Sequence, residues 1–382
     1  MPAARVDCLP NCRSFSFLGH FRDPFAFQKL LDRCIGFIHW DTESAFTRVK
    51  ILLLVFTGTY YTLSCLCLTR IDPAEVPLDH FFGMWFLVGG GCSCFSQWYV
   101  LAIERRHLAK VIGFLTNLQQ NGIDHPTRVR QRSRIVLYSI VHWTTNVSQT
   151  AVWAVTLLFT SSIAHATSNS YLQMLAYIFF PLEIMLIGMT ANVSQINTFT
   201  TLLVFAVEFE ILGEDFRQAL DKWNVVDMKT CVRRHQKLLE MVMLFRDKLK
   251  LYLLLSLQIY FFSITFCCVM LVIQLKTGDN QMFYTLINLT TALLCLLLFG
   301  LFCDYLDLKV AEISDQVFGS KWSERISRDR SMKRNLLMIL MRSQKKIKFT
   351  CGDIYAMSIV TCMNVINMCY SAFTLLMNMV QD

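Results

Sequence analysis

The sequence predicts an all-α membrane protein with seven transmembrane helices, and three observations lead to that prediction. Hydrophobic residues make up 54% of the 382 positions, more apolar surface than one or two soluble cores could bury. Seven stretches are apolar over the length that a helix needs to cross a bilayer core of about 30 Å. Nearly all basic residues lie in alternate connecting segments, which favours one orientation in the lipid bilayer.

Each predicted span is free, or nearly free, of Asp, Glu, Lys and Arg. The fourth region contains Glu183, which a helix starting at Tyr171 would carry deep into the bilayer, where an acidic residue normally signals function. In chain order the spans are 51–68, 81–103, 135–164, a region inside 171–207, 251–275, 281–303 and 354–380.

The distribution of basic residues predicts the orientation. Of the 36 Lys and Arg, all but Arg70 and Lys276 lie before span one or in the connections after spans two, four and six. Short segments rich in Lys and Arg stay in the cytoplasm. The N-terminus is therefore predicted to be cytoplasmic and the C-terminus extracellular, opposite to G-protein-coupled receptors. The net charge of +8 follows from this cytoplasmic face, so no nucleic-acid partner is expected.

Two long cytoplasmic connections, 208–250 and 304–349, contain no proline and have helical patterns. In KLLEMVMLF (237–245) and RNLLMILM (334–341), apolar residues fall on one helical face. We expect the spans to continue into the cytoplasm as helical extensions. These extensions would form an anchor bundle that holds subunits together, or lie as amphipathic helices on the membrane surface.

Signatures of catalysis are missing from the sequence. It has no phosphate loop, no HExxH and no nucleophile elbow, so the chain is predicted not to be an enzyme. Cys8 and Cys12 have a metal-like spacing, but no second Cys or His pair accompanies them, so neither a metal nor a cofactor is predicted. Most of the 15 cysteines lie within spans and are expected to be free thiols.

The C-terminal region carries a family resemblance. RSQKKIKFTCGDIYAMSIVTCMNVINMCYSAFTLL (342–376) resembles the C-terminal signature of insect odorant receptors, and DQVFGSKW (315–322) is similar to the element that follows the family's sixth span. FFPLE (179–183) resembles the end of the family's loop between spans three and four. That likeness implies that span four starts near Ile184 and that Glu183 lies at the membrane interface. The string that carries the likeness in the last span is Tyr370, Ser371, Phe373, Thr374, Leu375 and Leu376.

The resemblance implies the odorant-binding subunit of a heteromeric, ligand-gated, non-selective cation channel. Its partners would be a small volatile odorant and odorant receptor co-receptor subunits in a tetramer. Its place would be the plasma membrane of the olfactory sensory neuron dendrite. The implied division is a cytoplasmic N-terminal segment (1–50), spans one to six with pocket and extensions (51–303), an anchor region (304–349) and a pore-lining seventh helix (350–382).

An apolar pocket with a few polar groups is expected between the outer halves of spans two to six, again from the resemblance. Asn146, Gln149 and Trp153 share one helical face in span three. Each of these side chains could equally pack or hydrogen-bond between helices. The candidate ligand-binding residues are Trp85, Phe86, Asn146, Gln149, Trp153, Met189, Asn192, Tyr284 and Asn288.

The last span has the composition expected of a pore helix. It is mostly apolar, carries small polar groups and contains no charged residue. Spacing of three to four residues places Ser371, Leu375, Asn378 and Met379 along one stripe, and the resemblance places Leu375 at a hydrophobic constriction. Alternatively, Ser371 and Asn378 only hydrogen-bond to neighbouring helices.

Three other functions stay open from the sequence. A gustatory-receptor-like channel would end in a Thr-Tyr-apolar-Gln-Phe string, which is missing here. A metabotropic seven-helix receptor would need an unusual topology. A secondary transporter would show internal repeats with matching broken helices, but GGGC (89–92) has no counterpart in another span.

Overall fold

The computed structural model describes residues 23–34, 56, 58, 59, 78–121, 125–160, 170–278, 282–320 and 330–381. Apart from three helical residues, the first predicted span, 51–68, lies outside this part of the chain. The elements with defined bounds in the described residues are eight helices and one hairpin: α1 (Ala26–Cys34), α2 (Leu78–Asn121), α3 (Pro126–Thr160), α4 (Ser170–Asp221), α5 (Val225–Thr277), α6 (Met282–Phe318), α7 (Arg330–Ser343), β1 (Thr350–Cys351), β2 (Tyr355–Ala356) and α8 (Ile359–Gln381).

Four of the described helices are long and apolar enough to cross a membrane. They contain the stretches Gly188–Asp221, Val225–Lys276, Met282–Phe318 and Ile359–Asn378. The predicted spans 81–103 and 135–164 fall largely within α2 and α3.

The helices of spans four, five and six continue far beyond a bilayer's thickness. α4 has 52 residues and α5 has 53, whereas a span needs about 20. The two helices are joined by a tight turn, after which the Asn224 side chain accepts hydrogen bonds from the backbone N–H groups of Val226 and Asp227. The predicted helical extensions are therefore confirmed.

Helix α4 begins before the expected start of span four. The helix runs without a break from Ser170 through Pro181. Within the described residues, its stretch that is apolar enough to cross a membrane starts at Gly188. The start of span four near Ile184, with Glu183 at the membrane interface, stays a prediction.

Apolar residues of the extensions pack inward as their spacing predicts. In 237–245, Leu238, Met241, Val242 and Phe245 are buried. In 334–341, Leu336 and Ile339 are buried and place α7 against α6. The inward face of each segment is therefore covered by neighbouring helices of the same chain, whereas Met338 and Met341 on the outer side of α7 are exposed.

A buried charge cluster ties the extensions together around Glu208, whose side chain is 0% exposed. Arg128 of α3 binds both carboxylate oxygens, each at 2.7 Å. Arg234 of α5 binds Glu208 at 2.7 Å and Asp215 at 2.7 Å, and the Gln119 amide of α2 donates at 2.6 Å. Four helices thus share one buried carboxylate, whose charge is compensated by two guanidinium groups.

The segment before α8 is a hairpin and not part of the last helix. β1 pairs antiparallel with β2, and Gly352 in the turn has φ 59°. The backbone N–H of Gly352 donates to the carbonyl of Lys250 at 2.9 Å. The hydrogen bond from the Lys250 ammonium lowers the pKa of the exposed Asp353 carboxyl. Because of this hairpin, the helix of the last span begins at Ile359, later than the expected 354.

The cysteines of the described chain are free thiols, as expected. Several of them are buried at contacts between helices, where they pack as small apolar residues. The full set of free cysteines, buried and exposed, is Cys92, Cys94, Cys231, Cys267, Cys268, Cys295, Cys303, Cys351, Cys362 and Cys369.

Candidate functional site: ligand pocket and pore helix

Two of the predicted pocket residues meet across helices. The side-chain amide of Gln149 on α3 donates a hydrogen bond to Oδ1 of Asn288 on α6. Asn288 is buried and Gln149 is partly buried, so this pair is a polar contact within largely apolar surroundings. In the absence of a ligand the two amides bond to each other. Each amide also has further donor and acceptor sites, which a ligand could use.

The crossing of α3 and α4 lies beside this pair. A Cβ on Gly188 would lie 2.4 Å from Cγ2 of Thr150, so only glycine permits this approach. Asn146, one turn before Thr150, is buried and donates to the carbonyl of His142 at 2.8 Å. Asn192, one turn after Gly188, is also buried. The predicted polar residues of spans three and four therefore face the interior of the helix bundle.

An aromatic cluster adjoins the polar residues, and the sequence reasoning did not identify it. The ring of His142 stacks on Tyr138 at 5.7 Å and meets Phe199 of α4 edge-on at 5.4 Å. Phe199 in turn contacts Phe299 and Phe302 of α6, at centroid distances of 4.4 Å and 5.3 Å. The signal was present in the sequence, because Tyr138 with His142 and Phe299 with Phe302 recur at one-turn spacing.

The remaining pocket candidates occupy other environments. Met189 is half-buried on α4, and Tyr284 near the start of α6 is 38% exposed. Trp85 and Phe86 belong to α2 and Trp153 to α3, but their side chains lie outside the described residues.

The predicted pore residues lie on the open face of α8. Ser371 and Asn378 are exposed, and Leu375 is 63% exposed. The side chain of Met379 lies outside the described residues. Two further asparagines, Asn364 and Asn367, are exposed on the same stripe, because they precede Ser371 by seven and four residues. Their spacing was the signal that could have added them to the prediction.

The opposite face of α8 packs against the chain's own helices. Cys362, Val365 and Cys369 are buried at one-turn intervals. The Cys362 thiol donates to the carbonyl of Leu296 on α6 at 3.2 Å, and the Cys369 thiol donates to that of Phe261 on α5 at 3.5 Å. One face of α8 is thus fixed to α5 and α6, while the polar stripe is left uncovered.

A groove of about 710 Å³ lies elsewhere, between α5 and α7 in the cytoplasmic part. Methionine and aliphatic side chains line it, together with His235, Glu240, Arg342 and Lys345. No group of three or more His, Cys, Asp or Glu side chains within the described ranges could hold a metal ion.

Comparison with known protein families gives one match over most of the chain. The model of the family described as 7tm Odorant receptor matches residues 92–370. Among curated proteins, none matches this chain significantly.

Solved structures with a similar fold include those of an insect olfactory receptor. The olfactory receptor OR5 of Machilis hrabei in complex with eugenol superposes with a TM-score of 0.73 at 10% identity, covering 92% of this chain and 97% of that one. The structure of OR5 without a named ligand gives a TM-score of 0.67 at 12% identity, covering 92% and 96%. These likenesses establish the fold, and the predicted all-α membrane architecture with seven-helix topology is confirmed.

Proposed function

Because this chain belongs to the 7tm odorant receptor family, we propose that it is the odorant-binding subunit of a heteromeric, ligand-gated cation channel. The family and fold are those of receptors, so the chain is not an enzyme. The observation that carries the proposal is the exposed stripe of α8, where uncharged polar side chains and Leu375 share a face that no other described helix covers. A helix in lipid has no need of such polar groups unless water or another protein meets them.

The ligand is proposed to be a small, mostly apolar volatile molecule with a hydrogen-bonding group. The Gln149–Asn288 pair supplies donor and acceptor atoms, and the mostly apolar side chains of the spans around it supply apolar contact area. The same fold in OR5 of Machilis hrabei is found in complex with eugenol, a small molecule of this kind.

The ion pathway is proposed to follow α8. Asn364, Asn367, Ser371 and Asn378 would contact ions and water, while Leu375 would close the pore by excluding water when the channel is shut. The buried face with Cys362 and Cys369 would stay against α5 and α6 during this change.

Assembly with odorant receptor co-receptor subunits in a tetramer is proposed to use the cytoplasmic anchor. The outer side of α7 is apolar and uncovered within the described chain, since Met338 is 52% and Met341 is 74% exposed. The adjoining groove between α5 and α7 extends this apolar surface. Uncovered apolar surface of this kind marks protein contacts. The complex would reside in the plasma membrane of the olfactory sensory neuron dendrite.

The proposal is tested by recording odorant-evoked current from cells that express this chain with and without a co-receptor, against a chemically varied panel. Cells with both subunits are expected to respond to a subset of the panel. Asn288→Leu should raise the half-maximal concentration of hydrogen-bonding odorants by about tenfold, because it removes an acceptor from the pocket.

Thr290→Val is the matched control, because Thr290 is exposed on the same helix and bonds only to the carbonyl of Leu286 in the described contacts. Absence of current across the whole panel, with both subunits at the cell surface, would contradict the channel function. Equal shifts in odorant potency in the two variants would show that Asn288 does not contact the odorant.

A further inference from the structure

The first turn of α8 is held by a side chain from another helix. The backbone N–H of Ile359 donates to Oδ2 of Asp304 on α6 at 2.9 Å. A helix N-terminus presents unpaired N–H groups and a partial positive charge, so a carboxylate there satisfies a donor and adds a favourable electrostatic interaction. α8 has no acidic residue in its own first turn. The acid at this helix start is therefore supplied by α6.

A close backbone approach accompanies this hydrogen bond one turn earlier on α6. A Cβ on Gly300 would lie 2.8 Å from Sγ of Cys362 and 2.8 Å from the backbone N of Ile359. Glycine is thus the residue that lets α8 contact the α6 backbone here. The hydrogen bond from the Cys362 thiol to the carbonyl of Leu296 extends the contact by a further turn.

The other end of α6 carries the pocket residue Asn288, which bonds to Gln149 of α3. Asn288 and Asp304 belong to one continuous helix and lie about 24 Å apart along it, at 1.5 Å per residue. A movement imposed at one end of such a helix reaches the other end, because the intervening backbone hydrogen bonds resist bending.

We propose that Asp304 is a positioning residue for gating, through which α6 transmits displacement from the Gln149–Asn288 pair to the first turn of the pore helix. This inference rests on the proposed function, since it requires a ligand at Asn288 and a pore at α8. The Asp304–Ile359 hydrogen bond and the Gly300 contact together make α6 and the start of α8 move as one body.

The hairpin before α8 is attached to the same two neighbouring helices, which supports this coupling. Asp307 of α6 accepts a hydrogen bond from the backbone N–H of Ile347 at 3.1 Å, and Lys250 of α5 binds Asp353 at 2.8 Å. The segment that leads into the hairpin is thus bonded to α6 and the hairpin turn to α5, so a movement of both away from these helices would break these bonds.

The test measures ligand binding and current separately in the complex with the co-receptor. In Asp304→Ala, binding of an active odorant, read from the odorant-dependent rise in thermal unfolding temperature of the purified complex, should stay within about twofold of wild type. Saturating current per receptor at the cell surface should fall about fivefold or more. Asp304→Asn keeps an acceptor oxygen but removes the charge, and it should lower the same current about twofold.

Asp315→Ala is the matched control, because Asp315 is an exposed carboxylate further along α6. Full current in Asp304→Ala, or in Asp304→Asn should the alanine variant fail to reach the surface, would overturn the inference alone. A loss of binding that matches the loss of current would also overturn it, because Asp304 would then act on the pocket. A wild-type complex whose current does not change when odorant is added would refute the proposed function and this inference together.

Discussion

α4 and α8 are both apolar enough to cross a membrane, yet they are covered very differently. In α4, 89% of the most apolar stretch is buried within the chain, whereas in α8 the share is 17%. A helix buried on all sides belongs to the core of one subunit. A helix with most of its surface uncovered must contact lipid, water or other subunits. Most of the surface of α8 therefore makes its contacts outside this chain.

The two helices also differ in charge. The cytoplasmic half of α4 holds Glu208 and Asp215 in the buried cluster with Arg128 and Arg234. The sequence of α8 contains no Asp, Glu, Lys or Arg. Breaking a buried ion cluster costs several kcal/mol. The contacts of α8 with α5 and α6 are apolar packing and single hydrogen bonds, such as the one from the Ile359 N–H to Asp304. We therefore expect the cytoplasmic base to be the more rigid of the two regions.

Removing the carboxylate at the centre of the base should have the largest effect. Glu208→Ala would remove the buried carboxylate that the Arg128 and Arg234 guanidinium groups share, and we expect a loss of about 3–5 kcal/mol in unfolding free energy. Thermal unfolding of the detergent-solubilised protein, or its yield at the cell surface, would measure the loss. Glu214→Ala is the matched control on the same helix, where the carboxylate is 41% exposed. Equal stability of the two variants would show that the cluster is not what makes the base rigid.

The uncovered helix should instead respond in function. Leu375→Ser should keep the constriction wet and raise the current without odorant about tenfold, with normal surface expression. Met363→Ser is the control, because Met363 is also exposed on α8 but lies about 120° around the helix from Leu375. Equal basal currents in both variants would exclude Leu375 as a gate.

The sequence was more informative about the polar stripe of α8 than about the buried charge cluster of α4. Polarity at one-turn spacing is local, so Ser371, Leu375 and Asn378 could be placed on one stripe without a structure. Glu208 and Arg128 are 80 residues apart and meet only because α3 and α4 pack side by side. From the sequence alone, Glu208 cannot be distinguished from the other acidic residues of the cytoplasmic extension. The cluster was therefore not predicted.

The hydrogen bond between Gln149 and Asn288 was likewise not predictable from the sequence. Both residues were candidates because they are polar and lie in spans three and six, where the resemblance implies a pocket. Their hydrogen bond depends on the rotation of α3 against α6, which periodicity alone does not determine. The hairpin at 350–356 was assigned partly to the last span, because its apolar residues resemble a helix start and the turn is set by Gly352, whose φ of 59° is a property of the fold.

The smallest expected effect concerns ion selectivity at the outer end of α8. Asn378 is exposed and lies one turn beyond Leu375, so Asn378→Asp would add a carboxylate at the mouth of the pore. The permeability of divalent relative to monovalent cations should rise about twofold, while odorant potency stays the same, because the pocket is untouched. Reversal potentials in solutions of different Ca²⁺ content would measure this ratio, with Asn378→Gln as the uncharged control.

The change is diluted in a mixed tetramer, because the co-receptor would supply the remaining pore helices. If the ratio is unchanged, and cysteines substituted for Ser371, Leu375 and Asn378 are inaccessible to water-soluble thiol reagents in the open state, then lipid or a partner subunit, and not water, meets the uncovered face of α8.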